Sequence, residues 1–237
     1  MKKTLEDIRQ YINEGVYDPG IFKAFFLAGG PGSGKTFVTQ SAFGGTGLKL
    51  VNSDNAFERG LKKANLSLKM PDSEEYFRNI IRQRAKTTAG NQLDQYVAGR
   101  LGLIIDATGR DLPLVQRQVA MLRQLGYDCH MIFVNTSLDV ALERNKNRPR
   151  SIPEYIVTKS WQGVQANIGQ FQRVFSPNKM LVVDNNSSEK ELVTQTLKSA
   201  DRFIRGRLRS KPENGIAMSW IKKELELKKR WDLNNTY

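Results

Sequence analysis

Short apolar runs alternate with longer amphipathic stretches along most of the chain. Each run has the length of a strand and ends in glycine or polar residues, whereas apolar positions between runs recur at helical spacing. Strands that alternate with helices are typical of βαβ units, and near-continuous apolar strands indicate a sheet covered on both faces. The pattern therefore predicts an α/β fold with a five-stranded parallel sheet and helices on both faces. The predicted strands are residues 22–28, 48–52, 101–106, 129–135 and 180–184.

The helical stretches divide the chain into three parts. A helix that begins near Thr4 and a turn form residues 1–20, the α/β domain spans 21–209, and a basic helical tail forms 210–237. Ligands in such sheets bind beyond the carboxyl ends of the strands, which places the active site there. The predicted helices after the first are residues 35–43, 73–84, 112–125, 138–146, 153–175, 192–204 and 216–231.

A phosphate-binding motif follows the first predicted strand. Residues 29–36 match G-x-x-x-x-G-K-[ST] in full, and glycines allow backbone amides to approach phosphates closely. Lys35 supplies a charge for the β- and γ-phosphates, and the Thr36 hydroxyl is a ligand for Mg²⁺. ATP and Mg²⁺ are therefore the expected cofactors. The loop residues are Gly29, Gly30, Pro31, Gly32, Ser33, Gly34, Lys35 and Thr36.

The motif at residues 29–36 is a P-loop, and two other classes of P-loop protein, the GTPases and the motor or AAA+ ATPases, fit this sequence less well. The nearest string to a guanine-reading N-K-x-D is residues 145–148, which lacks the aspartate, and a motor or AAA+ ATPase would need more chain for a lid domain. The class of P-loop protein that remains is a compact kinase.

Two aspartates follow predicted strands and are candidates for the chemistry. Asp54 follows the second strand and is positioned to accept the proton of an attacking hydroxyl, although it could equally cap the next helix. Asp106 ends the third strand, where it either binds Mg²⁺ or orients the loop. Arg110, close behind, either reaches a phosphate or lies in solvent.

A basic run at residues 144–153 suggests a lid. Arg144, Arg148 and Arg150 could close over ATP and neutralise charge on the transferred phosphoryl group, or they could simply lie in solvent at a helix end. His130 and Cys129 are interpreted as buried residues of the fourth strand. Trp161 is interpreted as packing under the lid rather than stacking on a base.

The net charge of the chain indicates what kind of partner it binds. The chain has 37 Lys and Arg against 24 Asp and Glu, a net charge of +13, and residues 198–230 alone carry a net +7. A cluster of this kind favours contact with a phosphate backbone over a solvated tail, so DNA is the expected partner. The apolar runs are too short to span a membrane, and neither a secretory signal nor a disulfide is expected, which predicts a cytoplasmic protein, or one in the host cytoplasm if viral.

The combined motifs resemble the polynucleotide-kinase and zeta-toxin branch of P-loop kinases. The resemblance rests on the P-loop, Asp54, the Asp-Ala-Thr-Gly-Arg string at 106–110, and the strings at 133–135 and 143–148. It implies that Asp54 is the base and that Arg144 and Arg148 are the lid pair. Within that branch, the lead-in at 15–24 and the basic C-terminus look most similar to bacteriophage DNA kinases that phosphorylate 5-hydroxymethyluracil.

The acceptor is left open by the residues themselves. A kinase of DNA is one hypothesis, with residues 55–98 as an acceptor-side insertion. The alternatives are a zeta-toxin-like kinase of a free nucleotide or nucleotide sugar, a polynucleotide 5′-hydroxyl kinase, and an ATP-binding module without catalysis. A binding module needs no base, so Asp54 argues against the last hypothesis.

Overall fold

Five parallel strands form the single sheet that the computed structural model shows in residues 15–106, 108–148 and 151–234, the part of the chain that it describes. The predicted helix near Thr4 and the lid residue Arg150 lie outside these residues. The strand order is β2-β3-β1-β4-β5, which confirms the predicted fold class. The strands are β1 (Lys23–Ala28), β2 (Lys49–Val51), β3 (Leu103–Asp106), β4 (Asp128–Asn135) and β5 (Met180–Asp184).

Helices cover both faces of this sheet. In the central strand β1, alternate side chains enter different clusters: Phe26 packs with one group of helices and Phe25 with the other. The helices are α1 (Lys35–Ala42), α2 (Ser53–Lys63), α3 (Glu75–Ala98), α4 (Leu112–Gln124), α5 (Leu138–Lys146), α6 (Glu154–Ala166), α7 (Ile168–Phe175), α8 (Lys190–Arg209) and α9 (Gly215–Asn234).

The two faces have different helices. One cluster joins β1 to α3, α4 and α7, and includes the buried Leu93, Val119 and Phe171. The other joins β1 to α1 and α8, and includes Val38 and Ile204. The strands therefore lie in a middle layer, and their carboxyl ends open at one edge.

The structure corrects three predicted helices. The prediction of one helix over residues 153–175 is wrong, because the helix breaks at Asn167, whose amide donates to the carbonyls of Gly109 and Arg110 at 3.0 Å each. The helix predicted at 73–84 begins at Glu75 and continues to Ala98. The helix predicted at 192–204 is α8, which runs through Gly206 to Arg209.

None of the described helices combines the length and the apolar character needed to cross a membrane.

Candidate active site

The P-loop joins β1 to α1 at the carboxyl edge of the sheet, as its sequence predicts. Gly32 and Gly34 have φ of 80° and 89°, where only glycine is unstrained. A Cβ on Gly32 would collide with the backbone carbonyl oxygen of Ala141 in α5. Glycines at these positions let backbone amides approach a phosphate closely, and the loop leads directly into the N-terminus of α1, which favours an anion.

Lys35 turns back over this loop. Its Nζ donates to the carbonyl of Gly29 at 2.6 Å. Burial lowers the pKa of Lys35, while the negative charges of Asp106 and Asp54 oppose that shift and Arg148 adds to it. The ammonium group therefore lies within electrostatic reach of both candidate carboxylates.

Asn52 joins the two candidate aspartates. Its Nδ2 donates to Asp106 Oδ2 at 2.7 Å, and its Oδ1 accepts from the backbone N–H of Asp54 at 2.6 Å. Adjacent parallel strands place them together, since Val51 lies opposite Ile105 in the register of β2 and β3. Asn52 is the N-cap of α2, so the alternative in which Asp54 is the cap is wrong.

Sequence reasoning missed Asn52. The signal was available, because an asparagine directly after a strand and two residues before an aspartate is a common helix N-terminus. The sequence could not show that the other end of the same amide reaches Asp106.

Asp106 ends β3 beside these groups and is partly buried. Burial raises the pKa of its carboxyl group, Lys35 and Arg148 lower it, and the charge of Asp54 raises it further. Four residues that the sequence singled out at separate positions are thus electrostatically coupled at one edge of the sheet: Lys35, Asp54, Asp106 and Arg148.

Arg144 contacts the loop after β5 rather than these carboxylates. Its Nη1 donates to the carbonyl of Asn185 at 2.7 Å, and Asn185 Nδ2 donates to the carbonyl of Ser33 at 2.8 Å. Asn185 therefore connects the basic run at the end of α5 to the P-loop. Asn145 exchanges two hydrogen bonds with the backbone of Ile152, at 2.8 and 3.2 Å, and so fixes the far end of the predicted lid.

Trp161 lies behind the P-loop. Its Nε1 donates to the carbonyl of Thr136 at 2.8 Å, and its Cα is 3.4 Å from where a Cβ on Gly30 would be. These contacts place Trp161 against the P-loop, and its packing under the lid stays a prediction. His130 and Cys129 are buried in β4, as expected, and burial raises the pKa of Cys129 to about 12.

Helices α2 and α3 form a hairpin beside the site. Phe57, Leu61 and Ala85 make its small core, and Ile152 of the lid packs against the same cluster. Arg82 lies over the ring of Phe57, with Cζ 3.9 Å from the centroid. Because Asp54 lies in the first turn of α2, this hairpin and the lid form two walls next to that carboxylate.

The donor set fits Mg²⁺. Thr36 lies in the exposed first turn of α1, and the Asp106 carboxylate is electrostatically coupled to Lys35, the residue before Thr36. Hydroxyl and carboxylate oxygens, completed by nucleotide phosphates, are ligands that Mg²⁺ prefers. Thr36 and Asp106 are thus the residues that would hold the ion, and the glycine cradle beside them suits the phosphates.

Comparison with known proteins agrees with this fold. The AAA_33 family model, described as an AAA domain, matches residues 25–176. No curated protein matches the sequence. A Chloroflexus aurantiacus protein assigned as a kinase aligns with a TM-score of 0.53 and 18% identity over 80% of this chain and 100% of its own. A chain of the AvrRxo1-ORF1:AvrRxo1-ORF2 complex with sulphate ions aligns with a TM-score of 0.54 and 12% identity, over 83% of this chain and 79% of its own.

Identities this low show a shared fold alone. The family match covers well over half of the 237 residues, and it spans the P-loop, both candidate aspartates and the described part of the lid. The chain therefore belongs to the AAA_33 family and has its P-loop kinase-like fold.

Proposed function

We propose that this protein is an ATP-dependent kinase that transfers the γ-phosphate of ATP to a hydroxyl group of a nucleic acid. The observation that carries the proposal is that Asn52 joins Asp106 to Asp54 by hydrogen bonds at the edge of the sheet where Lys35 turns back over the P-loop. Arg148 is electrostatically coupled to Lys35 and Asp106 at the same edge. A protein that only binds nucleotide needs a P-loop, whereas phosphoryl transfer also needs a base for the acceptor and cations for the developing charge.

Each residue has a role in this reaction. Asp54 accepts the proton of the acceptor hydroxyl and directs that oxygen at the γ-phosphorus. Lys35 and Arg148 stabilise the charge that builds on the phosphoryl oxygens, and Arg144 reinforces the lid from the Asn185 side. Mg²⁺, when bound, neutralises phosphate charge as a Lewis acid. The lid excludes water, so that the acceptor hydroxyl receives the phosphate instead.

We propose the hydroxymethyl group of 5-hydroxymethyluracil in DNA as the acceptor. The 55–98 insertion borders Asp54 and has eight Lys and Arg against five Asp and Glu, which favours a substrate with phosphates. A base within a duplex must leave the stack before Asp54 can reach its hydroxyl. The resemblance to phage DNA kinases supports this choice among nucleic-acid hydroxyls.

A kinase of a free nucleotide or nucleotide sugar is the second candidate. It is favoured by the packing beside Asp54, since Ile152 of the lid packs on the α2–α3 cluster and an acceptor enclosed by these two walls would be small. It gives no role to the basic C-terminal segment.

Transfer of labelled γ-phosphate from ATP separates these candidates. The acceptors are DNA with 5-hydroxymethyluracil, unmodified DNA with free 5′-hydroxyls, RNA, free nucleotides and a nucleotide sugar, and the Lys35→Ala variant is the control. We expect label on 5-hydroxymethyluracil DNA with the wild-type protein and none with the variant. Label on free nucleotides or sugars alone would establish the second candidate, and label on 5′-ends would make the protein a polynucleotide end kinase. Transfer by the Lys35→Ala variant would overturn the site itself.

A further inference from the structure

Helix α8 connects the two ends of the molecule. It begins shortly after Asn185, which contacts the P-loop, and it ends where Arg207 donates to the carbonyl of Asn178, just before β5. It therefore runs antiparallel to the strands. Its 20 residues correspond to about 30 Å at 1.5 Å per residue. The chain after α8 thus starts about 30 Å from the P-loop, at the amino end of the sheet.

A buried ion pair fastens this following segment to the sheet. Lys23 Nζ donates to Asp128 Oδ2 at 2.8 Å and to the carbonyl of Lys211 at 3.2 Å, and the backbone N–H of Glu213 donates to the same Asp128 oxygen at 2.8 Å. Burial alone would raise the pKa of Asp128, but these hydrogen bonds and the charge of Lys23 hold it below its ordinary value. The Asp128 carboxylate stays ionised, and the segment is held in place.

Helix α9 then packs across the amino end of the sheet. Ala217 is fully buried, and the ring of Trp220 lies 5.6 Å from that of Phe22 in an edge-on arrangement. Arg100 covers Trp220 from another side, with Cζ 4.4 Å from the ring centroid. The C-terminal basic segment is thus a fixed part of the surface.

The outward side of α9 carries four exposed cations, with the exposed Glu226 between them. At helical spacing, Lys222 and Lys229 stand seven residues apart, about 10 Å along the axis, and Lys223 and Arg230 form a parallel row. All four are exposed, and none has an ion-pair partner among the side chains that the structure describes. We call Lys222, Lys223, Lys229 and Arg230 the basic face.

Other cations of the C-terminal segment are engaged within the protein. Arg205 pairs with Asp201 at 2.6 Å, and Arg207 is held by Asn178 and lies over Phe203. The cations at 202–211 are therefore only partly available to a ligand. The basic face has more cations without a described partner in the protein than this cluster has.

We infer that the basic face binds the phosphate backbone of a nucleic acid, at a site separate from the phosphoryl-transfer site and beyond the far end of α8, which spans about 30 Å. This inference rests on the proposed function, because it adds a second contact with the nucleic acid to that of the 55–98 insertion beside Asp54. A membrane-binding helix needs a continuous apolar side that faces the lipid. In α9 the middle of that side, at Ala217, Trp220 and Ile221, packs on Phe22 and the core, and Ile216, Leu227 and Trp231 to either end of it are about half exposed. On the side turned away from the core, four cations surround one carboxylate, Glu226, and such an excess of cations matches phosphates.

The two-site arrangement predicts a dependence on substrate length. A duplex must be roughly nine base pairs long to span 30 Å at 3.4 Å per pair. A duplex of about 24 base pairs reaches both sites, whereas one of about six base pairs reaches only the transfer site. The basic face therefore lowers KM for the long substrate and leaves the short one unaffected.

The test uses the full chain with all four residues of the basic face changed to glutamine. Truncation is unsuitable, because it would remove Ala217 and Trp220 from the core. The control variant loses the same charge elsewhere, through glutamine at four exposed cations: Arg117, Lys159, Lys190 and Lys198. Binding of the 24-base-pair duplex is measured against salt concentration, and transfer is measured with one 5-hydroxymethyluracil in each duplex.

We expect the basic-face variant to lose about 3.6 from the slope of log K against log salt, at about 0.9 per phosphate contact. Its KM for the long duplex should rise at least tenfold, with kcat and the short duplex unchanged. An equal loss of slope in the control variant, an unchanged KM for the long duplex, or binding of phosphatidylserine vesicles in place of DNA would overturn the inference. Absence of transfer to any nucleic acid would defeat the proposed function, whereas a lost salt slope confined to the basic-face variant would still support the basic face.

Discussion

Asn52 Nδ2 lies 2.7 Å from Asp106 Oδ2, so that an amide from the end of β2 holds the carboxylate at the end of β3. The same side chain caps α2 through the backbone N–H of Asp54. One residue thereby sets the spacing between the proposed base and the carboxylate proposed to hold Mg²⁺. This relationship makes Asn52 a positioning residue for both.

Replacing Asn52 with serine should slow transfer while preserving the helix. Serine keeps the cap but cannot reach Asp106, so the carboxylate loses a charge-assisted hydrogen bond of about 1.5–3 kcal/mol and kcat falls roughly 10- to 100-fold. Because that bond favours the ionised form, the pKa of Asp106 rises further and the acid limb of the kcat–pH profile moves to higher pH. Asn55→Ser, at an exposed position of the same helix, is the control. If the acid limb of the kcat–pH profile of Asn52→Ser is not shifted, Asn52 serves only as the N-cap of α2.

Replacing Asp54 with asparagine should remove the base and spare nucleotide binding. General bases contribute about 10²–10⁴-fold, so kcat should fall within that range while the Kd for ATP stays within about twofold. Asp72→Asn makes the same charge change at an exposed site before α3 and should keep full activity. A near-normal kcat in Asp54→Asn would contradict the assignment of Asp54 as base.

Alanine at Gly32 should weaken ATP binding through a steric clash. Gly32 has φ 80°, and its Cβ would strike the Ala141 carbonyl, so the loop must move away from α5 and the Kd for ATP should rise at least tenfold. Gly45 has a similar φ of 71° but no atom within 4 Å of a Cβ. Gly45→Ala therefore shares the backbone strain of about 1–2 kcal/mol and should bind ATP normally. Equal ATP affinities in the two variants, measured by calorimetry, would argue against a close-fitting cradle.

The single histidine should make stability fall in mild acid. Burial, followed by the charges of Lys23 and Arg207, lowers the pKa of His130 to about 3, against an ordinary 6.5. The native protein keeps the ring neutral and the unfolded chain protonates it, so stability is unaffected above pH 6.5 and is lost as pH falls from 6.5 towards 3. The loss is about 2 kcal/mol at pH 5.

His130→Leu should abolish this part of the pH dependence. The ring lies against Phe25 and Phe203, with centroids 5.2 and 6.1 Å away, and neither nitrogen has a hydrogen-bond partner among the described residues. Urea unfolding at pH 7 and pH 5 measures the difference. Phe203→Leu disturbs the same contacts but keeps the histidine, so it should retain the wild-type difference between the two pH values. A wild-type difference that persists in His130→Leu would place its origin elsewhere.

Much of the fold followed from local pattern. Apolar runs gave all five strands, because a strand buried on both faces has a signature that tertiary structure leaves intact. The observed ends of helices differ from the predicted ones where side chains or backbone groups from distant segments contact them. The break at Asn167 depends on the carbonyls of Gly109 and Arg110, nearly sixty residues away, and no local pattern predicts such a contact.

The sequence alone determined the chemistry that is encoded in short motifs. The P-loop is a local structure whose glycines, lysine and threonine act within eight consecutive residues, and the aspartates follow strands whose carboxyl ends must meet at one edge. Only the tertiary structure decided which groups share that edge and which face away. It joined Asn52 to Asp106, and it fixed the basic α9 at the opposite end of the sheet through Lys23 and Asp128. The physical reason is that the number of charges in a sequence does not show where they lie in the folded protein. Helix α8 runs antiparallel to the strands and spans about 30 Å, and it carries the chain away from the P-loop before the basic helix begins.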